Sequence, residues 1–293
     1  MNLKTITLRD SAYPYLLKNI FDPPERLFIW GNLPNFNEYP PIAIVGTRKP
    51  TEYGRGSAVE IASSLSKAGF SIISGLAFGI DSISQKTVID SKGITVAVLG
   101  SGLKNISPAT HKKLAEEIFE AGGAVVSEFD LEMPGLPFNF PMRNRIISGL
   151  SLGVVVVEAT LDSGSLITAR SALDQGREVF AVPGPIGSLY STGTHKLIRD
   201  GAILTESAQD VIDILEPRLP NEWKTKFSGQ SFGIGDKERT LLNLLDYEKP
   251  LSLDYLVEKS GFKPQDILSS LTVLECAELL QQSPGGYVKS KRE

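Results

Sequence analysis

The 293-residue chain has one cysteine, Cys276, and two histidines, His111 and His195. A lone cysteine cannot close an internal disulfide, which fits a reducing compartment. So few soft donors leave a structural zinc site without ligands, and no metal is expected. Long apolar runs are missing as well: the stretch around Val154–Val157 falls far short of the ~20 residues that cross a bilayer. The first ten residues carry Lys4, Arg9 and Asp10 where a signal peptide needs its apolar segment. These absences predict a cytoplasmic protein with no membrane partner. A basic excess is also lacking, since 30 Lys+Arg face 34 Asp+Glu for a net charge of −4. Any contact with nucleic acid therefore has to come from a local patch, not from a global field.

What is present is ordinary for a globular protein, with 41% hydrophobic and 22% charged residues. The length suggests about two domains. Residues 41–216 contain six β-rich apolar runs: Ile42–Val45, Phe70–Ile73, Thr95–Leu99, Ala124–Val126, Val154–Val157 and Val179–Val182. Several are apolar at consecutive positions, as strands buried on both faces should be. Between them lie helix-length segments, among them Arg55–Ala68, Ile80–Ser91, Ala109–Ala121, Arg143–Leu152 and Ile167–Gln175. This alternation predicts an α/β fold: a Rossmann-like, mostly parallel sheet with helices on both faces. Residues 217–235 read as a linker. Residues 236–293 offer three helices, Glu238–Leu245, Leu253–Ser260 and Pro264–Leu280, and a turn at Gly285–Val288, which together predict a small winged-helix-like domain.

In open parallel sheets ligands bind beyond the carboxyl ends of the strands. Small residues occupy those ends here: Gly46-Thr-Arg48, Ser74-Gly75, Gly100-Ser-Gly102, Ser127-Glu128, Asp162-Ser-Gly-Ser165 and Pro183-Gly184. Glycine and serine let backbone N–H groups approach an anion closely. Strand-to-helix turns need glycine for their own geometry too, but six such ends together favour a ligand crevice. The first turn lacks the G-x-G-x-x-G spacing of dinucleotide sites, and no G-x-x-x-x-G-K-[ST] occurs. A nicotinamide cofactor is disfavoured, a Walker-type ATP site is absent, and no cofactor is expected. The sharpest local signal is Phe138-Asn-Phe-Pro-Met-Arg-Asn-Arg145, in which Pro141 suits the first helical position and places Arg143 and Arg145 near a helix start. Cations there oppose the helix dipole by roughly 0.3–1 kcal/mol each, a cost that a bound anion reverses. Two readings stand open: phosphate and base contacts with stacking on Phe140, or arginines paired to Glu128, Glu158 or Asp162.

Taken in order, Tyr13-Pro14, Asp22-Pro-Pro24, Val45-Gly-Thr-Arg48, Ser74-Gly-Leu-Ala-Phe-Gly-Ile-Asp81, Val98-Leu-Gly-Ser-Gly102, Phe140–Leu150, Ser163–Ala169 and Gly193–Ile198 resemble the DNA-processing protein A family, DprA or Smf. The resemblance runs from about Tyr13 to Leu215. It implies a non-catalytic, dimeric protein of natural transformation that covers incoming single-stranded DNA and helps to load the RecA recombinase. Carried over residue by residue, Arg48, Arg143, Asn144 and Arg145 become the leading contacts, and Gly46, Ser74, Gly75, Gly100, Gly102, Ser163, Gly164 and Lys196 further candidates. The helical N-terminal domain common in the family is expected to be reduced to a helical extension over residues 1–40. In residues 236–293 eight basic residues face ten acidic ones, and Pro264–Leu280 holds no cation; phosphate contacts need cations, so this domain is read as a protein-contact or structural module. The alternative is a nucleoside-monophosphate phosphoribohydrolase-like enzyme on the same fold, although Asp162–Arg170 has no carboxylate after its threonine, where the motif of those enzymes carries the reacting glutamate.

Overall fold

A computed structural model of the chain describes residues 3–221, 223, 236–247, 249–276 and 279–290. Two compact units make it up, Met1–Ser228 and Gly229–Glu293. The first is built on nine strands: β1 (Leu3–Thr7), β2 (Arg26–Gly31), β3 (Pro41–Val45), β4 (Ser71–Ser74), β5 (Thr95–Val98), β6 (Ala124–Ser127), β7 (Gly153–Val156), β8 (Glu178–Ala181) and β9 (Ile203–Leu204). Across the sheet they run β1-β2-β6-β5-β4-β3-β7-β8-β9. Every pair from β6 to β9 is parallel, whereas β1–β2 and β2–β6 are antiparallel. The helices are α1 (Tyr15–Lys18), α2 (Glu52–Lys67), α3 (Ile80–Asp90), α4 (Lys112–Glu120), α5 (Asn139–Gly149), α6 (Gly164–Asp174), α7 (Thr192–Arg199) and α8 (Ala208–Leu215).

All residues of β3 to β7 are buried, and alternation along each strand shares them between two cores. On β5, Val96 and Val98 join Ile146, Ile147 and Leu150 from the α5 side and Ala169 and Ala172 of α6. Ala97 and Leu99 join Ala115 and Ile118 of α4 instead. The chain steps from β3 out to β6, returns to β7 beside β3, and then steps the other way. With right-handed crossovers this reversal moves the helices to the opposite face. The Rossmann-like architecture and its order reversal between β3 and β7 follow.

The expected helical extension over residues 1–40 is corrected. Among the described residues of that stretch only Tyr15–Lys18 is helical; β1 and β2 pair antiparallel and extend the sheet. Leu27 and Ile29 enter one core and Trp30 the other, so burial decides the strand. At the start of the stretch read as a linker, Glu216–Arg218 form a 3-10 turn, and within that stretch the indole N–H of buried Trp223 donates to the Ala68 carbonyl at 2.9 Å. Residues 222 and 224–235 of that stretch lie outside the described residues.

The second unit has helices Asp236–Leu244, Leu253–Ser260 and Pro264–Cys276, followed by a hairpin of Leu280–Ser283 and Gly286–Lys289. Leu241, Leu256, Ile267, Leu271 and Leu280 form its core. The third helix stops before the expected Leu280, which opens the hairpin instead, buried in that core. This is the winged-helix arrangement.

Candidate functional site

Three segments converge where the strand order reverses. The turn after β3 supplies Gly46, Arg48 and Lys49, and the start of α5 supplies Phe140, Arg143 and Asn144. The turn after β7 supplies Ser163 and Gly164 at the start of α6. They line a cleft of about 600 Å³, in the size range of ligand sites. Its position beyond the carboxyl ends of β3 and β7 is where open α/β sheets bind ligands.

Arg48 and Lys49 are exposed and, among the described residues, have no carboxylate partner. The Arg48 guanidinium lies 5.8 Å from the centroid of the Phe140 ring, a cation–π contact worth roughly 0.5–1 kcal/mol when exposed. The backbone beneath them is pinned on both sides. Thr47 N–H donates to the Glu158 carbonyl at 2.7 Å, and the Thr47 carbonyl accepts from Ile80 N–H at 3.2 Å. Thr51 caps α2, and both its N–H (2.9 Å) and its hydroxyl (2.6 Å) donate to the Glu158 carboxylate. Buried Glu158 is thereby committed to the positive end of α2.

Arg143 is only 4% exposed. It donates to the carbonyls of Gly75 (2.7 Å) and Val98, at the ends of β4 and β5, and to Asn144 Oδ1 at 3.3 Å. These carbonyl dipoles meet the charge that the sequence assigned to a phosphate, so Arg143 forms the floor of the cleft. Burial draws its pKa down to about 10, opposed by the charge of Asp81 and helped by that of Arg48. Asp81, in the first turn of α3, accepts from Gly75 N–H at 3.0 Å. Burial raises its carboxyl above the usual range, although Arg143 opposes this. Asn144 donates to the Gly164 carbonyl at 3.2 Å and ties α5 to α6. The helix also starts earlier than expected: Asn139 opens it, and Pro141 is its third residue, within the first turn whose N–H groups have no helical partner.

Arg145 is corrected. It points away from the cleft into a bidentate pair with Glu128 (2.6 and 2.7 Å) and a 3.0 Å contact with Asp22. Burial works against its charge, and Glu128 with Asp22 outweighs that, so its pKa stands above the ordinary value. Lys196 is likewise not in the cleft and pairs with Asp200 at 2.5 Å, one helical turn along α7. Ser74 donates to the Ile44 carbonyl at 2.7 Å inside the core.

Most of the glycines serve packing. A Cβ on Gly46 would lie 2.6 Å from Ile80, on Gly75 2.7 Å from Arg143 and Asp81, on Gly100 2.8 Å from Phe140, and on Gly102 2.1 Å from the Asp130 carbonyl. Gly75, Gly100 and Gly102 do not line the cleft. Gly164 differs, because none of the described residues lies within 4 Å of a Cβ built there. It follows Ser163, the cap of α6, whose hydroxyl accepts from Ser165 N–H at 3.3 Å.

Lys49, Thr160 and Tyr190 also line the cleft and were not singled out from the sequence. The signal for Lys49 was its place beside Arg48 in one exposed turn. Tyr190 lies in the 3-10 turn Leu189–Ser191, a stretch with no periodicity to mark it. His195 faces the Gly184 carbonyl at 3.0 Å. Among the described residues no group of three or more His, Cys, Asp or Glu is placed to hold a metal, and no helix is long and apolar enough to cross a membrane.

Comparison with known proteins fits this geometry. The model of DNA recombination-mediator protein A matches residues 4–216, and that of the DprA winged helix domain matches residues 232–286. Protein Smf of Escherichia coli is 42% identical over 287 residues, covering 96% of this chain and 75% of that one. DNA processing protein DprA of Bacillus subtilis is 43% identical over 216 residues, covering 74% and 72%. Among solved structures, DprA of Streptococcus pneumoniae superposes with a TM-score of 0.68 at 40% identity, covering 73% of this chain and 74% of that one. DNA processing protein A of Helicobacter pylori, a structure concerned with single-stranded DNA binding, superposes at 0.66 with 29% identity, covering 75% and 98%. The match of fold, domain order and most of the chain places this protein in the DNA recombination-mediator protein A family, DprA/Smf.

Proposed function

We propose that the chain binds single-stranded DNA in the cleft between β3 and β7, without catalysis. In this reading it acts as a cytoplasmic homodimer of natural transformation that protects incoming single strands and helps to load RecA. One observation carries the DNA reading: Arg48 and Lys49, with no carboxylate partner among the described residues, stand on the lip of a cleft with an aromatic wall, on a chain of net charge −4. Arg48 and Lys49 take phosphates, Phe140 offers a face to a base, and the first turn of α6 at Gly164 presents backbone N–H groups to an anion. The Helicobacter protein's single-stranded DNA binding supports single-stranded DNA as the ligand here.

The hydrolase reading needs a carboxylate at the reacting bond. Glu158 instead holds the start of α2, Glu128 holds Arg145, and Asp81, the carboxyl that lines the cleft, accepts from Gly75 N–H beside the Arg143 charge. Incubation with nucleoside monophosphates should release no free base. Turnover abolished by Glu158→Gln would overturn the binding reading.

The direct test is a mobility-shift titration of single- and double-stranded DNA with the parent and Arg48→Ala. Single strands should bind in preference, and Arg48→Ala should lower the slope of log affinity against log salt by ~0.7. Equal binding by parent and variant at every salt concentration would remove the cleft from consideration. Sedimentation of the free protein tests the dimer.

A further inference from the structure

A second groove of about 510 Å³ adjoins the first, and Arg48 and Lys49 line both. Its far wall holds Arg55 and Phe78, and among the described residues no carboxylate lines it. Glu52 lies 3.6 Å from Arg55, but both side chains are largely exposed, so the pairing is weak.

The placement of Phe78 is built in. A bulky apolar ring left 47% exposed would be expected to fold inward, but the loop around it is fixed at three points. Leu76, fully buried, takes a positive φ of 55°, a conformation that L-residues adopt at a cost. Its carbonyl lies 2.8 Å from His111 Nδ1, and the His111 ring packs edge-on against Phe78 at 4.8 Å. Gly79 has φ +78°, and a Cβ there would lie 2.3 Å from the Thr47 carbonyl, so the loop is locked to the turn that carries Arg48. The result is an aromatic ring held beside three cations.

We infer that this groove is a second nucleotide subsite: the strand leaving the first cleft crosses Arg48 and Lys49, stacks its next base on Phe78, and sets a phosphate against Arg55. The inference rests on the single-strand reading of the first cleft and adds the path taken beyond it. Continuity favours this occupant, since the same two cations serve both grooves and the groove repeats the combination of arginine and aromatic ring found in the first.

The test is fluorescence anisotropy with an oligothymidylate of about a dozen nucleotides, within the range covered by single-strand binders. Phe78→Ala should weaken binding about 5- to 150-fold, the size of one lost stacking contact, and leave the salt slope unchanged. Phe78→Tyr should retain affinity. Arg55→Gln should lower the slope by ~0.7, as one lost phosphate contact does, and it touches no core. Parent-like affinity for Phe78→Ala and a parent-like slope for Arg55→Gln would overturn the second subsite. If Arg48→Ala still weakens binding in that case, the first cleft stands. A parent chain that binds no single strand would refute both. Unchanged binding with altered sedimentation of Phe78→Ala would make the ring a protein contact and equally overturn the inference.

Discussion

Two arginines that the sequence could not tell apart should respond to alanine in opposite ways. Arg145 is 17% exposed, and its partner Glu128 14%. Removing its guanidinium leaves Glu128 partly buried and without its bidentate donor. Breaking a fully buried pair in this way costs about 3–5 kcal/mol; the residual exposure reduces that to roughly 2–4 kcal/mol. For a unit of this size each kcal/mol moves the melting temperature by about 2–4 °C, so Arg145→Ala should lower it by roughly 4–16 °C. Its charge is already balanced, so the salt slope of single-strand binding should not change. Arg48→Ala removes only an exposed cation–π contact and should change stability by no more than about 0.5–1 kcal/mol. It should nevertheless lower the slope by ~0.7, which over a fourfold rise in salt is about 2.5-fold in affinity. Calorimetry and salt-dependent anisotropy on the two variants give four numbers. A lowered slope for Arg145→Ala with unchanged melting, or a large melting loss for Arg48→Ala, would refute the division between buried clamp and free contact.

Three further outcomes follow from the geometry. Gly164→Ala has open space and no left-handed backbone requirement, so stability should stay level or rise by up to about 1 kcal/mol; the added methyl should weaken strand binding several-fold, and unchanged affinity would exclude close approach to α6. Burial holds the Asp81 carboxyl above 3.8, so the folded state keeps this proton to higher pH than the unfolded chain. The contribution of Asp81 is therefore fully present below the unfolded value and declines as pH rises through the folded one. In urea titrations across pH, Asp81→Asn should gain stability relative to the parent as pH rises through that window, and a constant difference would refute the shift. Thr51→Ala removes the cap of α2 and one donor to Glu158, which should lower the denaturation midpoint by an amount equivalent to about 1–2 kcal/mol.

The sheet was legible because its determinants are local. Runs such as Ile42–Val45 and Val154–Val157 are too apolar to sit anywhere except between two helical layers. β1 and β2 escaped because their pairing joins segments some twenty residues apart, and nothing in Leu3–Thr7 alone marks it. The cleft was legible in the Gly-Thr-Arg turn and the Arg143-Asn-Arg145 helix, but the roles within it were not. Arg145 is decided by Glu128 and by Asp22, 123 residues away in sequence. Gly75 and Gly102 are decided by Arg143 and Asp130, atoms that only the fold brings near. Residue type identified the cations; three-dimensional pairing decided which of them remain available.

The fastening of Thr47 to Glu158 on one side and to Ile80 on the other has a kinetic consequence. The loop bearing Arg48 is already in place before any partner arrives, so capture requires no folding of that segment and incurs little ordering entropy there. Association should then run at a pace set by collision and charge attraction, and differences among ligands should appear in how long each one stays.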